Sequence, residues 1–312
     1  MVQLKATRYY RSLLEPREQA AYDQLLAGWM GLQDPVIIRN PPRELGKLIE
    51  AIMADYPLLF YVNYYLARWV SRPDHIRLEG SYLYPRDEAA GLLEQCVRWG
   101  RALLAGMPQG LNRAEQALWI HDALACRVRY GNDNGNRAHN ILGVILDGMA
   151  VCEGIAKCYK FLCDLAQIPC AMVSGELAGA GHGWNLIWLG SQAGFVDVTA
   201  DLEEPGRCSR FHFLRSDEEM PGYLWDRTRV PRATLGNPRC PVSDAATAGE
   251  LAARIRAIRP GQAMGFRLPF PMGDGDDAWK RLQRELNRRL WGCGEVRMHY
   301  FPDQRMLFVT AS

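Results

Sequence analysis

One cysteine, one histidine and one aspartate near the middle of this chain have the types and settings that thiol attack on a carbonyl requires. Cys152 lies in Asp147-Gly148-Met149-Ala150-Val151-Cys152-Glu153-Gly154-Ile155-Ala156, which reads as a turn entering a helix. The helix runs on through Tyr159, Phe161, Leu162 and Leu165 and stops before Pro169. A thiol at a helix N-terminus faces unpaired N–H groups and the positive end of the dipole, which stabilise a thiolate. After a glycine-rich loop, His182 opens the strand His182-Gly183-Trp184-Asn185-Leu186-Ile187-Trp188, whose alternation puts His182, Trp184 and Trp188 on one face. Asp197 is the lone charge in Phe195-Val196-Asp197-Val198-Thr199. A buried carboxylate is costly unless it is paired, and a histidine on the neighbouring strand would pair it.

The three occur in the order Cys, His, Asp, separated by 30 and then 15 residues. A thiolate attacks, an imidazole accepts and returns the proton, and a carboxylate fixes the imidazole tautomer. Direct opposition of His182 and Asp197 requires a hairpin centred near Leu189-Gly190, whereas turn-like residues extend to Gly194. A bulge or a diagonal pairing reconciles the two. Asp201 is the fallback orienter.

The other cysteines of this helix do not make a metal site with Cys152. Cys158 lies roughly 240° around the helix from it, and Cys163 lies on a similar face but about 16 Å further along. With Cys170 they read as packing residues. No C-x-x-C pair occurs, so a four-cysteine zinc site lacks its usual spacing, and neither a metal nor another cofactor is expected. An odd total of nine cysteines argues for free thiols over a disulfide framework.

The elements that must position the three residues can be read on either side. Residues 8 to 70 read mainly helical. Glu15-Pro16-Arg17-Glu18 opens one helix, Leu45, Leu48, Ile49 and Ile52 mark another, and the aromatic run from Leu58 to Trp69 reads as core. His75 to Tyr84 alternates as a strand. Helices are expected at about 87–105, where no motif falls, and at about 112–127, which carries His121, read as structural. Residues 131–137 form a polar loop, and 209–243, rich in proline, read as a long wrapping segment. From about 245 the tail reads as a small α/β piece. It has a helical face of Leu251, Ile255 and Ile258, a strand at 265–270, a helix at 278–290, and two strands joined at Pro302-Asp303. Asp274-Gly275-Asp276-Asp277 lacks a full calcium-loop pattern and reads as a capping loop. The expected division is a mainly helical 1–90 with one or two strands, a catalytic core at 91–243, and the tail at 244–312.

Taken together, Gly148-Met-Ala-Val-Cys152-Glu-Gly-Ile-Ala, His182-Gly-Trp-Asn185 and Val196-Asp197-Val198-Thr199 resemble the three motifs of the transglutaminase-like superfamily, with bacterial transglutaminase-core proteins the nearest match. Ile120-His121-Asp122, residues 54–60 and residues 213–220 are weaker parts of the same resemblance, which covers about residues 10 to 222; none is seen for 245–312. It implies an α+β, papain-like fold in which a cysteine-bearing helix packs on an antiparallel sheet bearing the histidine and aspartate. It also implies Cys152 as nucleophile, His182 as general base and Asp197 as orienter, with the Cys152 N–H forming half of an oxyanion hole. His139 and Asn140 are candidates for the second donor. Asn185 fits the family's His-x-Trp-Asn pattern, Trp184 reads as core or cleft wall, and Glu153 as a helix-start residue.

The implied activity is that of a thiol hydrolase, peptidase or acyl transferase acting on amide or peptide carbonyls, with hydrolysis favoured over cross-linking and a peptide or protein as substrate. An arylamine acetyltransferase lacks its Arg-Gly-Gly-x-Cys signature here, and a peptide N-glycanase lacks its zinc cysteine pairs. A non-catalytic peptide-binding domain is the reading from another class. A net charge of +2 gives no field for nucleic acid or an anionic membrane. No run of about 18 apolar residues would span a bilayer. The N-terminal residues lack the apolar stretch of a signal peptide, so a cytoplasmic setting is expected. Oligomeric state is not legible.

Overall fold

A computed structural model describes residues 6–133, 135–203, 206–268, 276–292 and 294–311. The centre is a five-stranded antiparallel sheet. Cys170–Leu177 and Ala180–Leu189 pair first, Gln192–Val196 joins the latter, and the short strands Tyr223–Trp225 and Phe213–Arg215 close the two edges. The helix Cys152–Leu165 packs across the two long strands. Its inward residues Ile155, Tyr159, Leu162 and Cys163 are fully buried, as a 3.6-residue period requires. Cys158 and Cys170 are equally buried, in keeping with packing roles.

Both edge strands come from the segment expected only to wrap. At three residues each they are too short for alternation to reveal them. The turn between Ala180–Leu189 and Gln192–Val196 is Gly190-Ser191, tighter than the run to Gly194 suggested: Leu189 pairs with Gln192, and Asn185 with Val196. Gly190 takes a left-handed φ of 68°, which a two-residue hairpin turn demands. On the far side of the sheet the register slips between Phe195 and Val196, and Leu214 takes a φ of 53° to absorb it.

The N-terminal region contains Pro16–Met30 and Leu45–Asp55 as expected, but three strands where one or two were anticipated. Val36–Arg39, His75–Glu79 and Arg68–Ser71 form a separate antiparallel sheet. The aromatic run divides. Phe60 and Tyr61 are buried, while Tyr65 and Trp69 are 82% and 51% exposed. Residues Arg86–Ala105 and Arg113–Ala125 are helices, the second held by a reciprocal Asn112–Glu115 cap.

The tail is an α/β unit beginning two residues before 244. Val242–Asp244 pairs in parallel with Ala263–Arg267, which is followed in the sheet by Met306–Ala311 and Val296–Phe301. Ala248–Arg256 and Asp276–Arg289 are its helices, and Pro302–Gln304 is a single 3-10 turn. Asp274, Gly275 and the end of the strand anticipated at 265–270 lie outside the described residues.

Two glycines of the cysteine motif serve different needs. Gly148 sits at a φ of 61°, where only glycine is unstrained. Gly154 permits close approach: a Cβ there would lie 2.3 Å from the Ala138 carbonyl oxygen and 3.0 Å from that of Asn140. Gly154→Ala is therefore expected to cost about 1–3 kcal/mol in urea unfolding, because backbone must move to admit the methyl. At Gly183 the new Cβ would meet nothing closer than 3.4 Å. Its alanine variant should lose less than about 1 kcal/mol, and equal losses at the two positions would refute this account.

Candidate functional site

The first turn of the cysteine helix, the start of the Ala180–Leu189 strand and the end of the Gln192–Val196 strand converge. Cys152 is half-buried at the helix start. Its thiol lies beside the His182 ring and the Gly183 and Glu153 N–H groups, each of which favours its charged form. The His182 Nε2–H donates to Asp197 Oδ2 over 2.6 Å, so the other ring nitrogen serves the thiol. Extending the strand register sets Asp197 across from Trp184, so its pairing with His182 is the diagonal one.

Asp197 is almost wholly buried, at 1% exposure, and each of its oxygens has a donor. Oδ1 accepts the Ala200 N–H over 3.1 Å, and Oδ2 also accepts the Tyr223 hydroxyl over 2.8 Å. Tyr223 is the contact that the sequence did not disclose. It comes from the edge strand hidden in the wrapping segment, 26 residues beyond Asp197. Trp184 is fully buried and stacks on the His182 ring at 5.8 Å between centroids. It therefore backs the imidazole and does not wall an open cleft. Asn185, also buried, donates to the Ala156 carbonyl over 3.0 Å and so ties the histidine strand to the cysteine helix.

The candidate oxyanion donors are engaged elsewhere. The Asn140 amide donates to the Asn136 carbonyl over 2.9 Å and its oxygen accepts the Leu142 N–H. His139 and Lys157 both bond Glu153, at 3.0 and 2.6 Å, so Glu153 does more than favour a helix start. Beside that first turn lies a groove of about 310 Å³, whose walls include Tyr64, Met53, Met172, Glu153 and Lys157. A more apolar cavity of about 340 Å³ lies away from the thiol, against Phe161 and Asp164 near the helix's other end.

Electrostatics favours charge separation between thiol and ring. Burial alone would raise the Cys152 pKa. The His182 hydrogen bond and charge, with the Gly183 and Glu153 N–H groups, outweigh burial and hold the thiol below its ordinary value. Burial pulls His182 down, but hydrogen bonds and charge from Asp197 and Cys152 push it up to about 10. Burial likewise opposes ionisation of Asp197, and His182 holds it below the usual carboxylate range. Both shifts favour a thiolate beside an imidazolium.

Asp201, the fallback orienter, does not reach His182. It bonds His121 Nε2 at 3.0 Å and His212 Nδ1 at 3.2 Å. His121, fully buried, is part of this second network.

Residues 101–200 match the family described as the transglutaminase-like superfamily. No curated protein matches the chain. Among solved structures, one described as a TGase aligns with a TM-score of 0.35 at 11% identity over 47% of this chain. The aligned part of this chain spans only about half of that protein, 47%. A candidate cysteine protease from Cytophaga hutchinsonii aligns at 0.31 and 13% identity, covering 56% of this chain and 71% of its own. A candidate protease from Parabacteroides distasonis aligns at 0.29 and 9%, covering 78% and 60%. Among the described residues, no helix is long and apolar enough to cross a membrane.

The charge pair makes a signed prediction. The rate of Cys152 alkylation by iodoacetamide should rise at lower pH than for an ordinary thiol, near about 8.5. Asp197→Asn removes the charge that keeps His182 protonated, so the Cys152 profile should move toward higher pH. An unchanged profile in that variant would show that Asp197 does not set the ring's charge.

Proposed function

We propose that this chain, whose residues 101–200 are of the transglutaminase-like superfamily, is a thiol enzyme acting on amide or peptide carbonyls through an acyl-enzyme. The observation that carries the reading is His182 bonded 2.6 Å from the buried Asp197 carboxylate, with Cys152 at the adjoining helix start. Cys152 attacks the carbonyl as a thiolate. The His182 imidazolium gives its proton to the departing amine, and the neutral ring then draws a proton from the water or amine that resolves the thioester. Asp197 accepts the Nε2–H throughout, so the nitrogen facing the thiol is the one that gains and loses the proton.

The Cys152 backbone N–H, at a helix start, is suited to hold the carbonyl oxygen as it becomes negative. The groove beside Tyr64 and Met172 is suited to a peptide or protein segment. Hydrolysis is the favoured outcome.

Cys152→Ala should abolish turnover of a peptide or amide panel, and His182→Ala should lower it by about 10²–10⁴-fold. Both should leave urea unfolding cooperative. Undiminished turnover by Cys152→Ala would eliminate the proposal.

A further inference from the structure

We propose that His121, Asp122, Cys208 and Cys126 form a binding site for one tetrahedral divalent metal ion of the zinc class, separate from the Cys152 site. One donor atom each from His121, Asp122 and Cys208 lie within 4.8 Å of one another. His121 Nδ1 is 3.0 Å from Asp122 Oδ1, and Cys208 Sγ is 3.7 Å from the same oxygen. Tetrahedral coordination with bonds of 2.0–2.3 Å separates neighbouring ligand atoms by about 3.3–3.7 Å, so only small shifts are needed. Cys126, which lies outside that cluster of three, would supply the fourth donor. It caps the helix one turn beyond Asp122, and its thiol donates to the carbonyl of Gly206, two residues before Cys208, so a shift of this exposed helix end would bring it in.

The surroundings are built as such sites are. The His121 ring is fully buried, and its far nitrogen bonds Asp201 at 3.0 Å, an arrangement that orients a metal-bound imidazole. Asp201 is itself fixed by the Ser209 hydroxyl at 2.5 Å and the Phe211 N–H at 2.9 Å. Cys208 is positioned by an antiparallel bridge to Leu202, and the Gly206 carbonyl accepts from the Cys126 thiol at 3.6 Å. Arg210 forks onto Asp122, with Nη2 2.5 Å and Nε 3.0 Å from Oδ2 and Nε also 3.2 Å from Oδ1. It would keep Oδ2 and give up its longer contact to Oδ1 as that oxygen turns to the ion, and its charge offsets one of three anionic ligands. Two thiolates with an imidazole select zinc over calcium or magnesium.

Binding displaces the Nδ1 proton of His121 and the two thiol protons to solvent. Four protein ligands leave no open position, so the ion would act as a staple joining Cys208 to the helix before the cysteine motif. Chain spacing conceals this arrangement, because Asp122 and Cys208 are 86 residues apart. It departs from the expectation of no metal.

The full chain, stripped with chelator under reducing conditions, would be titrated with Co²⁺. The expected result is one ion per chain with the visible spectrum of a tetrahedral thiolate site, displaced by Zn²⁺. Cys208→Ser should abolish the spectrum, Cys126→Ser should weaken binding at least about tenfold, and Cys152→Ser should leave it unchanged. If Cys208→Ser does not fold, Cys126→Ser, altered at an exposed helix end, decides alone. Absence of uptake by the wild-type chain, or uptake unaffected by Cys126→Ser, would overturn the proposal.

Discussion

The structure turns on a carboxylate that cannot be left alone. Asp197 is buried at the end of a central strand, and its ionised form is tolerated only because His182, Tyr223 and the Ala200 N–H surround it. Satisfying it fixes a good deal of the fold. The hairpin must turn at Gly190-Ser191 to bring His182 within a diagonal step. The chain must return after residue 213 to lay Tyr223 on the opposite edge of the sheet. Cys152 then takes its character from the proton that Asp197 keeps on His182. A cysteine on another face of the same helix, such as Cys158, is driven the other way, its pKa raised by burial.

The same chemistry recurs nearby with a different setting. His121 is fully buried between Asp122 and Asp201, and burial's pull on its pKa is outweighed by those carboxylates, which raise it to about 9. The sulfur that shares its cluster is Cys208, not a thiol at a helix start. A buried histidine–carboxylate pair therefore does not by itself mark a reactive thiol. What lowers the Cys152 pKa against burial is the His182 ring together with the Gly183 and Glu153 N–H groups.

Much of the central layer was legible because its signals are local. The turn at Gly148, the helical period from Ile155 to Leu165 and the alternation after His182 each lie within one element. Asp197 was marked by being the lone charge in an apolar strand. What escaped were features set by distant contacts. The strands bearing Phe213 and Tyr223 are too short to show a period, and nothing local to Tyr223 refers to Asp197. The hairpin was ambiguous because Gln192 to Gly194 are turn-like in type yet are held extended by pairing with Ile187 to Leu189. The third N-terminal strand, Arg68–Ser71, is exposed at every position, so no hydrophobic pattern betrayed it. The tail unit was readable by its helix periods, but its first strand, Val242–Asp244, was assigned to the preceding region because its partner lies about twenty residues on.

The most direct test of the Cys152–His182–Asp197 account is mass spectrometry of the intact protein and its Cys152 peptide during exposure to a mixture of peptides and amines. The account predicts a transient acyl adduct on Cys152, lost to water or amine and absent in Cys152→Ala. Turnover of the mixture with Cys152 unmodified throughout, or with the adduct on another cysteine, would contradict it.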